Sequence, residues 1–324
     1  ISSIINQEKA PAQGKDISVK TDKKTEEKDS VKQEENRIIK PVTERTFGDD
    51  VFASSAVTDL SELSTPPLDY PIGVGDHIII SLWGGSELQQ DYIVAKDGSI
   101  FPQGLGKVNV LGMTFDNMRS AVISRFRKSV PASTQISVSL GQPRTINVNV
   151  VGNVIKPGPV TVSAFSNAFN VIAKAGGVNE YGDLRSIQVK RGGKLIDELD
   201  VYKYLTSGDF GKHIYLQNND FVIIGFPSKL VQASGYFKRP MFYQLKKNEG
   251  IRELIEYSGG LKPDAVSSIV RVTRSENQQQ VLKDFNIDFL KKNVDTNFIL
   301  MDGDFVKADI IKKGITNRVE LEGE

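Results

Sequence analysis

Tyr70-Pro-Ile-Gly-Val-Gly-Asp-His-Ile-Ile-Ile-Ser-Leu-Trp83 is the stretch on which the reading of the fold turns. Gly73 and Gly75 bracket a tight turn, and Asp76 stands where its carboxylate accepts hydrogen bonds from the turn amides. The β-branched run from His77 to Trp83 then predicts a strand. Downstream, a second extended run, Asp91–Lys96, reaches Asp97-Gly98 and returns through Ser99-Ile100-Phe101. Asp-Gly between apolar runs predicts a hairpin in which both central residues take positive φ. Thr114 is a good N-cap, and Phe115, Met118, Val122 and Phe126 form one helical stripe behind it. Ile136–Leu140 supplies a closing strand. A small mixed unit over 66–141 follows.

Working outward, the chain repeats itself. Gly152, Lys156-Pro157 and Gly176-Gly177 recur as Gly235, Arg239-Pro240 and Gly259-Gly260, each displaced by 83 residues. Between them, Ala168, Val171, Ile172 and Ala175 correspond to Ile251, Leu254, Ile255 and Ser258, two short helical stripes closed by glycine pairs. Ser186–Arg191 parallels Ile269–Arg274 as a strand. Leu216–Phe221 parallels Leu300–Phe305, now displaced by 84, with Asp220 and Asp304 in the turns. Each unit, 143–227 and 229–310, reads as strand, Pro-containing turn, strand, helix, Gly-Gly, strand, variable loop, Asp-containing turn and strand. That is an α+β unit with one helix across a sheet.

Residues 6–40 hold 17 charged side chains, no aromatic and only five of Val, Ile, Leu and Met. Such a stretch buries too little apolar surface to offset its ordering entropy, so 1–65 is expected to be mostly disordered or extended. A few apolar residues return over Phe47–Leu63 as a strap for the body. The whole chain balances 41 Lys and Arg against 40 Asp and Glu, which argues against a nucleic-acid partner. It has no Cys, so thiolate metal sites, Cys nucleophiles and disulfides are excluded. It opens Ile-Ser-Ser, without Met or a signal peptide, and reads as part of a longer protein.

Catalytic patterns are missing. His77 and His213 are the two imidazoles, too few for a His metal set. Gly106-Lys107, Gly193-Lys194 and Gly211-Lys212 lack the Ser or Thr that a phosphate-cradling loop places after Lys. Asp76, Asp97, Asp220 and Asp304 lie in Gly- or Asn-rich turns, where turn formation explains them better than acid–base work. No enzyme, no cofactor and no metal site is expected. Trp83, followed by Gly84-Gly85, suits either sugar stacking or packing, and Tyr236, Phe237, Phe242 and Tyr243 are the other aromatic candidates for sugar or interface contact.

The pattern Tyr-x-Ile-Gly-x-Gly-Asp-x-Ile-x-Ile-x-x-Trp-Gly over 70–84, with Val-x-x-Asp-Gly-x-Ile, Pro102, Leu105-Gly106 and Val-x-Val-x-Gly-x-Thr over 108–114, resembles the polysaccharide export sequence domain. The domain belongs to outer-membrane capsule and exopolysaccharide export proteins, and the long polar stretch ahead of Pro66 resembles the larger members found in Bacteroidetes-like bacteria. The Gly-Gly units resemble the soluble-ligand-binding β-grasp (SLBB) domains that follow it there. One departure is that Pro102 comes two residues after Ile100 and Gln103-Gly104 adds a residue, so a shifted bulge is expected. The resemblance implies a non-enzymatic, periplasm-facing part of a ring-shaped, homo-oligomeric outer-membrane channel. It implies polysaccharide as cargo, an inner-membrane polysaccharide copolymerase as partner, and outer-membrane attachment through parts outside this chain.

Two other readings stand beside it: a cell-envelope or secretion-machine scaffold built from β-grasp rings, and a soluble carbohydrate-binding module. Finally, Val319-Glu-Leu-Glu-Gly323 repeats the spacing of Val148–Gly152 and Val231–Gly235, so 311–324 is expected to begin a third SLBB repeat.

Overall fold

A computed structural model describes residues 44–52, 67–209, 214–286 and 297–310. They belong to one unit, Val42–Glu324. The proposed third repeat at 311–324, most of the polar segment 1–65 and His213 lie outside the described residues.

In the first module, β1 (His77–Trp83) sits between β2 (Leu88–Ile93) and β5 (Gln135–Leu140), antiparallel to both. Alternation buries Ile78, Ile80 and Leu82. Against that face lies α1 (Phe115–Phe126), which buries Phe115, Met118, Val122 and Phe126 and is capped by Thr114 accepting from Asn117 N. The turn at Asp97-Gly98 differs from the two-residue hairpin expected of it. Gly98 has φ 78 but Asp97 is not among the positive-φ residues, and Gly98 N donates to Ala95 O at 2.9 Å. The Asp97 carboxylate accepts from Ser99 N and Ser99 Oγ, which fixes the turn without a left-handed Asp. Beyond it, β3 (Ser99–Ile100) leaves β2 and pairs with β4 (Val108–Asn109). That pairing carries no bulge; the extra residue at Gln103-Gly104 is absorbed by a turn in which Leu105 N donates to Pro102 O.

The two repeats form five-stranded sheets of the same topology. In the first, β6 (Thr145–Gly152), β7 (Gly158–Ser163), β8 (Ile187–Arg191), β9 (Lys194–Leu199) and β10 (Phe221–Ile224) are ordered β7-β6-β10-β8-β9, with β6 and β10 parallel at the centre. In the second, β11 (Leu230–Gly235), β12 (Phe242–Gln244), β13 (Ala265–Glu276), β14 (Gln279–Asn286) and β15 (Phe305–Ile310) are ordered β12-β11-β15-β13-β14, with β11 and β15 parallel. The short helices α2 (Ala168–Lys174) and, later in the chain, Ile251–Tyr257 turn their apolar stripes into the core and end in the glycine pairs. Gly176 and Gly177 have φ 88 and 94, Gly259 and Gly260 φ 75 and 89. The Gly177 and Gly260 amides close the helices on Ile172 O and Ile255 O.

The parallel pair explains Gly152 and Gly235. Both have positive φ, and a Cβ there would run into the carbonyl oxygen of Ile224 or Ala308 on the neighbouring strand. The variable loop of each repeat is the main correction. It holds a further strand, β9 or β14, that turns back on the expected strand β8 or β13 as a hairpin, at Gly192-Gly193 in one repeat and at Asn277-Gln278, φ 49 and 64, in the other. In the first repeat it also holds α3 (Val201–Ser207), so the final helix, Ile251–Tyr257, is α4.

Residues 44–52 lie on the body, where the strap expected from Phe47 onward begins. Phe242 N donates to Arg45 O and Phe47 N to Phe242 O, both at 2.9 Å, which adds a bridge to the edge strand β12. Phe47 and Phe52 are buried.

Candidate functional site

Three modules in a row need joints, and the best-built constellations of charge in the described residues are found there. At the first joint, Tyr70, Asp76 and Arg144 converge. Asp76 is fully buried; its carboxylate accepts from Gly73 N at 2.7 Å, Tyr70 Oη at 2.9 Å, Arg144 N at 3.1 Å and Arg144 Nη1 at 2.6 Å. The turn carboxylate is thus also the anchor for the start of the second module. Gly73 is required by contact, since a Cβ there would meet the Arg144 guanidinium. Edge-on contacts from Phe165 and Tyr215 close over the Tyr70 ring at 4.8 and 5.5 Å, and Tyr215 donates to Asp69 at 2.6 Å. Burial first, and the neighbouring Asp76 charge second, push the Tyr70 phenol well above its usual range, so it stays a donor.

The second joint is built on Arg185. Its guanidinium donates to Asp200 at 2.8 Å, to both carboxylate oxygens of Glu249 at 2.8 Å and to Gln244 O at 2.8 Å. It also stacks over the Tyr202 and Tyr257 rings at 4.3 and 4.9 Å. Gln244 stitches the modules together: its side chain accepts from Leu184 N and donates to Gly182 O, and its amide donates to the Tyr202 hydroxyl. Burial works to raise the Asp200 and Glu249 carboxyls. Hydrogen bonds and charge from Arg185, helped by Lys246, outweigh it, and both are held below their ordinary range. Burial raises Asp183. Phe47 of the strap roofs this joint, edge-on to Tyr202 at 4.9 Å and tilted on Tyr243 at 5.6 Å.

A third device occurs once in each repeat. Arg191 is bidentate on Asp220 and donates to Tyr215 O; Arg274 is bidentate on Asp304 and donates to Ile299 O. Each Asp also accepts the amide three residues before it, Gln217 N at 2.7 Å and Met301 N at 2.8 Å. Asp220 and Asp304 therefore close turns and clasp the neighbouring strand, β8 or β13, at once.

The aromatic candidates separate. Phe237 and Tyr243 are fully buried, which removes them as exposed sugar contacts: alternation places Tyr243 inward, and its hydroxyl donates to Arg239 O. Phe242 is half-buried beneath the strap bridge, and Tyr236 is half-buried with Lys262 above its ring. Trp83 is 49% exposed at the end of β1. His77 bonds Asp91 at 2.7 Å on the surface. Among the described residues no three His, Asp or Glu converge on a metal position, and no helix is long and apolar enough to cross a membrane.

Comparison with known proteins gives the same sequence of modules. Residues 64–141 match the family described as polysaccharide biosynthesis/export protein, and 147–224 and 230–282 each match an SLBB domain. These matches, export module first and SLBB domains after it, support a polysaccharide export protein family for the chain. The polysialic acid transport protein KpsD of Escherichia coli is 29% identical over 185 residues, 57% of this chain and 33% of that protein. A second KpsD sequence from the same organism is 28% identical over the same length. The match thus spans about a third of the length of these curated relatives.

Sequence reasoning missed Arg144, Arg185, Asp200, Gln244 and Glu249. The Arg191 and Arg274 clasps left a signal, an Arg recurring at a displacement of 83 with an Asp recurring at 84. Arg185 recurs nowhere in register, and nothing in its surroundings in the sequence marks it as buried.

Proposed function

We propose that the chain is a non-enzymatic, periplasm-facing part of a homo-oligomeric, ring-shaped outer-membrane channel that exports capsular or extracellular polysaccharide. What supports this most is the order of modules: one export domain and two SLBB domains, joined through buried Arg–carboxylate pairs rather than flexible linkers. A ring subunit has to hold its layers in fixed register so that neighbours meet layer by layer, and joints of this kind do that. A hydrated polymer passes such a lumen by weak, repeated polar contacts, and no bond is made or broken. The export module would face an inner-membrane polysaccharide copolymerase, and the SLBB domains would stack toward the outer membrane.

Deleting the gene and locating the polymer tests the reading. Surface polysaccharide should be lost while polymer is still made and retained inside the envelope, with restoration by the intact gene. Unchanged surface polysaccharide in the deletion strain would overturn the export role and favour a scaffold.

A further inference from the structure

From Asn117 to Asn179 the chain carries seven basic side chains and no acidic one, within a protein whose net charge is +1. Arg144 of these seven is spent on Asp76. Arg119, Arg125, Arg127 and Lys128 cluster on α1 and its exit, and none pairs with a carboxylate among the described residues. The end of this cluster meets the end of β1. Arg127 Nη1 donates to Thr134 O at 2.7 Å, and Gln135 is the cross-strand partner of Trp83. Gly84 and Gly85 follow Trp83 and lie directly against Ser133 and Thr134; a Cβ on Gly85 would collide with both hydroxyls.

Two features set this corner apart from an ordinary strand end. Trp83 presents half of a large, flat apolar surface at 49% exposure, while its neighbour Leu82 is buried. Two exposed glycines leave bare peptide groups beside it.

We propose that Trp83–Gly85 and the facing Arg127–Gln135 segment form a binding site for an acidic sugar, a pyranose carrying a carboxylate. The apolar face of the ring lies on Trp83, hydroxyls meet the peptide groups of Gly84-Gly85 and the exposed Ser133 hydroxyl, and the carboxylate faces the Arg127 end of the cluster. This deepens the export reading and rests on it for its biological meaning. Glu87, the only acidic side chain between Leu82 and Gln90, works against such a ligand.

Trp83 is the chain's single tryptophan, so its emission reports this corner alone. The probes are hexagalacturonate, neutral maltohexaose and vesicles of anionic phospholipid, titrated into the 324-residue chain. Hexagalacturonate should shift and quench the emission, more weakly by about fivefold when salt is raised to screen the charges. Maltohexaose should bind at least about tenfold more weakly. By calorimetry, Trp83→Ala and Arg127→Gln should each cost about tenfold, with melting temperatures showing that both variants fold, and Glu87→Gln should tighten binding. Equal binding of maltohexaose would overturn the proposal by removing its cationic half. Response to vesicles without response to hexagalacturonate would overturn it by assigning the patch to a lipid surface. Failure to see rings of the full-length protein would remove the channel reading yet leave this titration intact, so the two fail separately.

Discussion

In the first SLBB domain the hairpin β8–β9 is short, five and six residues, and leads directly into α3; in the second, β13 and β14 run for twelve and eight residues. The frames around them match: a parallel central pair, a left-handed glycine at its end, a helix closed by Gly-Gly, an Arg clasp on a buried turn Asp. What hangs from the hairpin differs in purpose. In the first domain it delivers Asp200 and Tyr202 to Arg185 and builds the joint with the second. In the second it presents an edge strand with Leu282 outward and an exposed Arg271–Asp284 pair. The frame holds each domain together, and the insertion decides what that domain is joined to.

The sharpest way to break this contrast is at the joint. Arg185→Leu leaves Asp200 and Glu249 buried without their cation, and should cost about 3–5 kcal/mol in chemical denaturation. A cost below about 1 kcal/mol would show that the second joint is not held by this pair network. Next come the frame glycines: Gly152→Val and Gly235→Val should each lose about 3 kcal/mol, from left-handed strain plus collision with a strand carbonyl. Gly192→Ala, at φ 55 but with open space around it, should lose about 1 kcal/mol. Similar losses at all three would mean that strain alone, not the close strand approach, sets the requirement.

The clasps sharpen the comparison by degree. The Arg274 side chain is 6% exposed and that of Arg191 33%, though both carboxylate partners are buried. Arg274→Leu should therefore cost about 1 kcal/mol more than Arg191→Leu, because water reaches the first domain's clasp. The smallest effect is acid sensitivity. Asp200 and Glu249 have folded pKa values below their unfolded ones, so their contribution is complete above the ordinary carboxylate range, about pH 4, and is lost as pH falls through the lowered values. Stability should drop below about pH 4, and Arg185→Leu should flatten that drop; an equally steep acid limb in the variant would place the sensitivity elsewhere.

The local pattern showed the frame because the frame is local. Thr114 with Phe115, Met118, Val122 and Phe126 is a cap followed by a stripe, and a repeat of 83 residues shows which glycines belong to geometry rather than to chance. The returning strands of the two inner hairpins escaped because the runs after Gly192-Gly193 and Asn277-Gln278 are charged, weakly alternating and look like loop. The joints escaped for a different reason. Arg185 meets Glu249 across 64 positions and Arg144 meets Asp76 across 68. No spacing rule reaches that far, and a buried Arg is spelled the same way as a solvated one. For the aromatics, four residues of one hairpin looked alike in sequence; alternation buried Tyr243 and left Phe242 under the strap.

Imaging the full-length protein in mild detergent tests the central claim most directly. We expect closed rings with a continuous lumen, their stacked layers matching the export module and the two SLBB domains in register. Monomers that stay monomeric at high protein concentration, with each chain bearing the same folded modules, would contradict it.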